Sequence, residues 1–292
     1  MTKQPEDPRP HHPQDRSQNA DAVGKEETPS LLTRRQALQI LGVTGASGIA
    51  AALLGDDPFS LLEVSGLPRE GEGHPGHEWH MVIDLERCIG CQYCVWACQA
   101  VNDVPDDNKR WNVGFPEETE KGQPFFMTRP CLHCQEAPCV KVCPVGATWL
   151  REDGIVAMDY DRCIGCRYCE VACPYDVRRF NWSAEQLENR YTPHWGTPEV
   201  EPRARGVVEK CTFCSQRIDR GLAEGLTPGV DKAATPACVN ICPVGARAFG
   251  DINDPQSPVS RYLATRDTFR LREEFGTEPK VHYVRPAPNE EA

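Results

Sequence analysis

Four groups of regularly spaced cysteines most constrain how this chain can fold. The third group, Cys163 to Pro174, reads C-I-G-C-R-Y-C-E-V-A-C-P. The chain has 292 residues and sixteen cysteines, at positions 88, 91, 94, 98; 131, 134, 139, 143; 163, 166, 169, 173; and 211, 214, 238, 242. Every group combines a C-x2-C with a C-x3-C spacing, and no cysteine is left over. This pattern predicts a fold built around shared sites of four thiols each.

The third group resembles the run with which bacterial two-cluster ferredoxins hold [4Fe–4S] clusters. Three closely spaced thiolates can bind three irons of one cluster, with Gly165 easing the tight loop between them. The fourth, Cys173, is expected to open a short helix and to point away toward a second cluster. Sixteen cysteines therefore predict four [4Fe–4S] clusters.

Two other uses of cysteine are less consistent with this pattern. Disulfide scaffolds favour small domains with varied spacings. Zinc sites also use C-x2-C pairs, but a zinc site does not account for Cys94 and Cys169, each the third thiol of an unbroken C-x2-C-x2-C run. Iron–sulfur clusters account for every cysteine.

Charge and hydropathy narrow the range of partners. The net charge is −11 and the cysteine-rich part has no basic block, which argues against a nucleic-acid partner. No apolar run of 18 or more residues follows residue 60, so we expect no membrane span in the mature chain.

The first 55 residues are predicted to be a disordered leader followed by an export signal. Residues 1–30 are rich in Pro, His, Gln and acidic residues, as in disordered segments. Thr33-Arg34-Arg35-Gln36-Ala37-Leu38 and the weakly apolar segment behind it resemble a Tat signal, although Ala37 stands where such signals more often have phenylalanine. The alternative is an ordinary helix with a chance arginine pair. Tat export would carry a folded protein, with its clusters already built, to the periplasm or the outer side of the cytoplasmic membrane.

The rest of the chain divides into a linker, a duplicated core and a tail. Residues 56–80 are predicted to be a linker, in which His74, His77 and His80 are expected to be solvated. Residues 81–273 are predicted to form the four-cluster domain, interrupted by insertions at 99–130 and 174–210, and residues 274–292 an extended C-terminal tail. The first two cysteine groups match the last two, which indicates an internal duplication.

Local patterns predict short elements separated by long loops. We expect a strand over Met81–Leu85, a hairpin over Thr148–Met158 with an Asp-Gly turn, and an extended segment over Val281–Val284. Helices are expected over Ser215–Leu222, from the Ser257-Pro258 cap to about Ala264, and after a capping box of Ser183 and Gln186. The predicted fold class is therefore α+β and loop-rich: a duplicated, bacterial-ferredoxin-like arrangement of two modules with two clusters each.

Residues 81–265 resemble one family. Besides the cysteines, V-V-E-K-C-T-F-C (207–214) and A-F-G-D-I-N-D-P (248–255) are similar to the four-cluster iron–sulfur subunit of the complex iron–sulfur molybdoenzyme family. Its members are electron-transfer subunits of polysulfide, tetrathionate and DMSO reductases and of some membrane hydrogenases.

The resemblance implies that group one shares clusters with group four, and group two with group three. The implied ligand sets are a first set of Cys88, Cys91, Cys94 and Cys242; a second set of Cys98, Cys211, Cys214 and Cys238; a third set of Cys131, Cys134, Cys139 and Cys173; and a fourth set of Cys143, Cys163, Cys166 and Cys169. One departure is Gln99, which follows Cys98 where the family has proline. No ligand is replaced by Trp or Ser, so a [3Fe–4S] variant is not expected.

The resemblance also implies a function without catalysis on this chain. It implies a one-electron relay between a catalytic subunit of the molybdopterin type and an integral membrane subunit that handles quinone. Two alternatives stay open: a soluble multi-cluster ferredoxin, or the electron-transfer subunit of a membrane hydrogenase. A catalytic enzyme that used the clusters for electron transfer within one chain would need a pterin, flavin or nickel site, for which the sequence has no motif.

Several residues near the cysteines have two possible roles. Arg87, Arg162 and Lys210 each precede the first cysteine of a group, where they either raise a cluster's reduction potential or are solvated surface charges. His133 is expected to pack near a cluster rather than to bind iron, and Tyr93 and Tyr168 to pack rather than to carry electrons.

Overall fold

A computed structural model describes residues 72–105, 110–122, 124–182 and 188–286. All of these belong to one compact unit. The predicted export signal around Arg34 and Arg35 and the capping box of Ser183 and Gln186 lie outside the described residues.

Short strands and helices alternate along the described part. The strands are β1 (Trp79–Asp84), β2 (Val113–Glu118), β3 (Pro124–Arg129), β4 (Thr148–Leu150), β5 (Val156–Met158), β6 (Arg179–Phe180), β7 (Val208–Glu209), β8 (Arg247–Asp251), β9 (Thr268–Phe269) and β10 (Val281–Val284). The helices are α1 (Tyr93–Val101), α2 (Pro138–Lys141), α3 (Tyr168–Val171), α4 (Ser215–Ala223), α5 (Ala237–Asn240) and α6 (Pro258–Thr265), with 3-10 turns at Lys232–Ala234 and Glu273–Phe275. This mixture of small sheets and short helices bears out the predicted α+β character.

The largest sheet joins the beginning and the end of the cysteine-rich region. Its strand order is β8–β1–β10–β9. Strand β1, predicted from sequence, pairs in parallel with β10, with Met81 opposite Val281, and antiparallel with β8, with Met81 opposite Phe249. The extended segment predicted over Val281–Val284 is thus confirmed as β10. It is not part of a peripheral tail, because it is largely buried and lies between two strands.

The sheet buries both of its faces, which explains why all residues of β1 are buried. Side chains alternate along a strand, so Trp79 and Ile83 face the main core with Tyr283 of β10. Val82 faces the other way and packs with Val259 of α6. The Ser257 side chain caps α6, accepting a 3.2 Å hydrogen bond from the Ser260 N–H, as the sequence predicts.

Three antiparallel strand pairs lie outside this sheet. The predicted hairpin is confirmed as β4 and β5, which pair antiparallel with Leu150 opposite Val156. Strands β2 and β3 form a second hairpin inside the first predicted insertion. The short pair β6 and β7 lies inside the second predicted insertion, near its two ends.

Proline decides where the helices beside the cysteines end. Helices α2, α3 and α5 each stop two residues before a Cys-Pro pair. Proline lacks an N–H and disfavours helical geometry in the residue before it, so these helices cannot continue. Cys98 is followed by Gln99 instead, and α1 runs through Cys98 to Val101. The expectation that Cys173 opens a helix is wrong for the same reason: α3 ends at Val171, and Cys173 follows it in front of Pro174.

The predicted linker is partly structured. Gly73 to Glu78 approach the core, and Trp79 and His80 already belong to β1. The expectation of solvated histidines is incorrect: His80 is 7% exposed and contacts His282 through ring nitrogens 2.9 Å apart. His74 and His77 are half-buried, and their ring nitrogens lie 3.0 Å and 2.7 Å from carboxylate oxygens of Asp219 and Asp251, respectively. These contacts fasten the segment before β1 to the folded core.

None of the helices in the described ranges is long and apolar enough to cross a membrane.

Gly165 lies where the loop of the third cysteine group passes close to the backbone of Gly206. Its φ is +68°, and an added Cβ would lie 2.0 Å from the carbonyl oxygen of Gly206. Gly225 has a similar φ of +74° but open space around it, so Gly225→Ala should cost only the backbone strain, about 1 kcal/mol. We expect Gly165→Ala to be clearly more destabilising and to lower the iron content. The check is the denaturant concentration at which half of the cluster absorbance is lost, and equal midpoints for the two variants would contradict the close approach.

Candidate metal centres

All sixteen cysteines lie in the described part of the chain, and none is paired in a disulfide. Those of the second predicted set are buried throughout, whereas Cys166 of the fourth set is exposed. The disulfide alternative therefore has no support in the structure.

Two of the predicted ligand sets each line one cavity. Cys88, Cys91, Cys94 and Cys242 line a cavity beneath the hairpin of β2 and β3. Cys131, Cys134, Cys139 and Cys173 line another, beside β5. In both cavities three thiols come from one cysteine group and the fourth from a distant group.

All four cysteines of the second predicted set are buried. Burial raises the pKa of the Cys98 thiol well above its usual value, and negative charge on Cys211, Cys214 and Cys238 raises it further. The side-chain nitrogen of Asn102 lies 3.6 Å from the sulfur of Cys98 and 3.7 Å from that of Cys214, so these two thiols from the first and fourth groups are close in space.

The fourth set is partly assembled. Burial raises the pKa of Cys169, and among the thiols that add to this effect is Cys163 of the same group. The Sγ atom of Cys143 accepts a 3.2 Å hydrogen bond from the Ala147 N–H. The assignment of Cys143, Cys163, Cys166 and Cys169 to one set stays a prediction, as do the other three ligand sets.

Helix packing agrees with the crossed arrangement of the groups. Helix α1, which holds Cys94 and Cys98, packs against α5, which holds Cys238. Helix α2, which holds Cys139, packs against α3, which holds Cys169. The first group thus meets the fourth, and the second meets the third.

Hydrogen bonds to sulfur recur at equivalent positions. The N–H of the fourth residue after the cysteine donates to sulfur at Cys143, and likewise at Cys242, where the Ala246 N–H lies 3.2 Å from Sγ. At Cys98 the helix continues, so the backbone N–H at this position bonds within α1 instead. The side chain of Asn102 takes over this role, donating to Cys98 at 3.6 Å and to Cys214 at 3.7 Å. Although Cys98 is followed by Gln99 instead of proline, its sulfur therefore still accepts a hydrogen bond.

Successive ligand sets adjoin one another. Burial raises the pKa of Cys238 to about 12, and Cys94 of the first set contributes to the rise. Burial likewise raises the pKa of Cys211, and the thiol that adds most is Cys131 of the third set. The first set thus neighbours the second, and the second neighbours the third.

The third set in turn adjoins the fourth. Cys139 of the third set adds to the raised pKa of Cys169, whose largest cause is burial. Together with the two preceding effects, this favours the order first, second, third, fourth for the predicted sets.

Two of the basic residues that precede a cysteine group, Arg87 and Lys210, have different surroundings. Arg87 is exposed and donates to the Tyr262 hydroxyl at 3.2 Å, so it is a surface charge. Lys210 is fully buried, and its ammonium donates to the backbone oxygens of Val156 and of Cys211. Sequence reasoning missed two buried arginines, Arg178 and Arg247. An alignment of the Cys-Pro pairs reveals them, because each is the fifth residue after its cysteine.

Two of the other residues singled out from sequence, His133 and Tyr93, have the packing roles expected of them, whereas Tyr168 does not. His133 is fully buried and stacks on Phe213 with ring centroids 3.8 Å apart, and its Nδ1 accepts a hydrogen bond from the Val156 N–H. Tyr93 packs in an aromatic cluster with Trp96 and Trp195. Tyr168 is 62% exposed.

The donor chemistry fits clusters held by thiolates. A metal site requires deprotonated thiols, yet burial opposes their ionisation throughout the second set, and each thiolate opposes its neighbours. Bound cationic metal removes this penalty, and groups of four thiols are the donor set of a [4Fe–4S] cluster. Four thiols also suit zinc.

Comparisons with known proteins distinguish iron–sulfur clusters from zinc. Family models described as "4Fe-4S dicluster domain" match residues 123–190 and 162–246, and one described as "4Fe-4S binding domain" matches residues 79–100. These matches together cover all four cysteine groups, and sixteen cysteines correspond to four [4Fe–4S] clusters.

Curated relatives cover most of the described chain. The iron–sulfur subunit of a candidate dimethyl sulfoxide reductase from Halobacterium salinarum is 46% identical over 70% of this chain and 78% of the relative. The iron–sulfur cluster-binding subunit of menaquinone reductase from Nitratidesulfovibrio vulgaris is 41% identical over 71% of this chain and 88% of its own length. One subunit of the tetrathionate reductase from Salmonella typhimurium is 38% identical over 86% of this chain and 88% of its own.

Proposed function

The chain belongs to the family of 4Fe-4S iron–sulfur subunits of multi-subunit respiratory reductases, and from this we propose that it connects a molybdopterin-type catalytic subunit with a quinone-handling membrane subunit. Subunits of this family transfer electrons and do not themselves convert the substrate. When bound, a [4Fe–4S] cluster accepts and releases one electron at a time.

The observation that carries this proposal is the unbroken order of the four ligand sets. Helix α1 with Cys94 packs against α5 with Cys238, and helix α2 with Cys139 packs against α3 with Cys169. Between these two pairs, the rings of His133 in the second cysteine group and Phe213 in the fourth stack with centroids 3.8 Å apart. A diffusing one-electron carrier does not need four sites in a row. A row is what a connection between two distant partners requires.

Exposed apolar residues beside two cysteine groups support docking of partners. Ile89 in the first group is 58% exposed, and Ile164 in the third is 63% exposed. Tyr168 and Val171, also in the third group, are 62% and 86% exposed. Large apolar side chains left in water next to a redox site favour contact with another protein. These two groups belong to the first and the fourth set, at the two ends of the row.

For the ligands we propose the crossed sets already described. The cavities lined by the first and third sets and the thiols around Cys98 support them. They also imply a duplication, in which residues 81–273 contain two modules of two clusters each. Support comes from the two equivalent helix pairs, α1 with α5 and α2 with α3.

Serine variants test the crossed sets. Under the proposal Cys173→Ser and Cys134→Ser perturb one cluster signal, because both remove a ligand of the third set. Cys169→Ser and Cys143→Ser should perturb a different signal, that of the fourth set. Electron paramagnetic resonance of the reduced protein, with iron analysis against sixteen irons in the unchanged chain, provides the measurement. If Cys173→Ser altered the same signal as Cys169→Ser, the ligands would be grouped locally and the crossed sets would be wrong.

The relay itself is tested on the complex isolated from membranes. We expect a molybdopterin-containing subunit and an integral membrane subunit to co-purify with this chain under anaerobic conditions, identified by mass spectrometry. Because the clusters would connect to the quinone site, an added quinol should reduce them, or an added quinone oxidise them, as followed by visible absorbance. A monomer that carries its iron but exchanges no electrons with quinones would instead be a soluble ferredoxin.

We also propose that the complex lies on the outer side of the cytoplasmic membrane after Tat export. The supporting feature is the Arg34-Arg35 pair before a weakly apolar segment. Replacing both arginines by lysine should leave the chain in the cytoplasm, because the export machinery reads the arginine pair rather than the charge. Arg16→Lys, outside the pair, should have no effect. Cell fractionation provides the readout, and unchanged export of the double variant would refute the assignment.

A further inference from the structure

Two buried arginines occupy the same position in two cysteine groups. Arg178 follows Cys173, and Arg247 follows Cys242, in each case as the fifth residue. Arg178 is 1% exposed and Arg247 is 6% exposed. A guanidinium stays protonated in proteins, so each position holds a permanent positive charge inside the core.

Arg247 lies between the first and second ligand sets. Arg247 lines the same cavity as Cys94 and Cys242 of the first set. Helix α5, which holds Cys238 of the second set, packs against β8, which begins at Arg247. Burial alone would lower the pKa of Arg247, but the thiolates of Cys94 and Cys238 outweigh burial and raise it. The cation is therefore shared between two sets.

Arg178 lies in the same way between the third and fourth sets. Its Nη2 donates to Cys139 Sγ of the third set at 3.1 Å, and helix α2, which holds Cys139, packs against α3, which holds Cys169 of the fourth set. Burial would lower the pKa of Arg178, and again the thiolates, led by Cys139 and Cys169, raise it.

The two arginines are held by matching partners. Nη2 of Arg247 donates to the Thr128 hydroxyl at 2.6 Å, while Nη1 lies 3.6 Å from the sulfur of Met81. Nη2 of Arg178 donates to the Thr148 hydroxyl at 2.9 Å, while Nη1 lies 3.7 Å from the sulfur of Met158. A threonine hydroxyl and a methionine sulfur are thus common to both sites, and Nη2 of Arg247 donates in addition to Asn112 Oδ1 at 3.1 Å. None of these partners neutralises the guanidinium.

Among the described residues, neither guanidinium forms an ion pair with a carboxylate. Other buried arginines are paired, for example Arg203 with Glu209 at 3.0 Å. An isolated buried charge is strongly unfavourable, so the compensating negative charge of Arg178 and Arg247 must come from the thiolate sites. A cluster held by four thiolates is anionic and becomes more so on reduction, and nearby charge sets its potential.

We propose that Arg247 and Arg178 are positioning residues of the electron relay, each a fixed cation that raises the reduction potentials of the two clusters on either side of it. The inference rests on the proposed ligand sets. Reduction adds a negative charge to a cluster, and a buried cation beside its ligands favours that state. The low polarity of the core makes the effect larger than that of a surface charge, which solvent and salt screen.

Glutamine variants of the intact complex test the pairing. Arg247→Gln removes one charge but keeps a hydrogen-bond donor, and it should lower the midpoint potentials of two clusters while leaving the other two unchanged. Arg178→Gln should lower the other two, with no overlap. Arg87→Gln is the matched control, because Arg87 also adjoins a ligand in sequence but is exposed, and it should shift no cluster. Redox titration followed by electron paramagnetic resonance gives all four potentials, with iron content measured on each sample.

Lysine variants separate charge from packing. Arg247→Lys and Arg178→Lys keep the positive charge, so their potentials should stay closer to those of the unchanged protein than the glutamine potentials do. If the glutamine variants lost the two flanking clusters while the lysine variants kept them, the requirement for a cation at each junction would also be supported.

Three results would overturn the inference. These are unchanged potentials in glutamine variants that retain sixteen irons, a shift confined to one cluster or spread equally over all four, or cluster loss in the lysine variants as well, which would indicate packing alone. A failure of the ligand sets is distinguished from these, because it appears in the cysteine-to-serine variants whatever the arginine variants do.

Discussion

Sixteen thiolates must be held close to each other, half of them in the buried core, and the rest of the structure depends on that requirement. Burial and mutual repulsion both oppose ionisation, as the raised pKa values of Cys98 and Cys238 indicate. Bound iron offsets both effects, so much of the folding free energy resides in the metal–thiolate bonds. Extensive regular structure is then unnecessary. Short helices, two-residue strands and long loops suffice, because each loop is fixed at its cysteines.

Features governed by local chemistry could be predicted from the sequence. The cysteine spacings indicate four groups, and the hairpin of β4 and β5 follows from alternating residues around an Asp-Gly turn. The cap at Ser257 is readable because capping involves neighbours in sequence. The helix boundaries next to the Cys-Pro pairs were also accessible, yet the expectation for Cys173 placed the helix on the wrong side of the cysteine.

Features that depend on distant contacts could not be predicted. Nothing in residues 274–286 indicates that Val281–Val284 pairs in parallel with β1, about 200 residues earlier in sequence, because such pairing leaves no local pattern. His80 is typical of a linker by its Gly- and Pro-rich surroundings, but its burial comes from strand pairing. Arg178 and Arg247 likewise gain their importance from thiols contributed by other cysteine groups. Their equivalence is visible in the sequence, whereas the absence of a carboxylate partner among the described residues is visible only in the structure.

The position of β1 has a consequence for the order in which the protein can be completed. This strand is synthesised first but lies between β8 and β10, which are among the last segments to be made. Until residue 284 has left the ribosome, at least one edge of β1 keeps open N–H and C=O groups, a template for pairing with other chains. A growing or prematurely terminated chain is therefore exposed to aggregation at its own central strand, and full-length synthesis is itself the step that protects it.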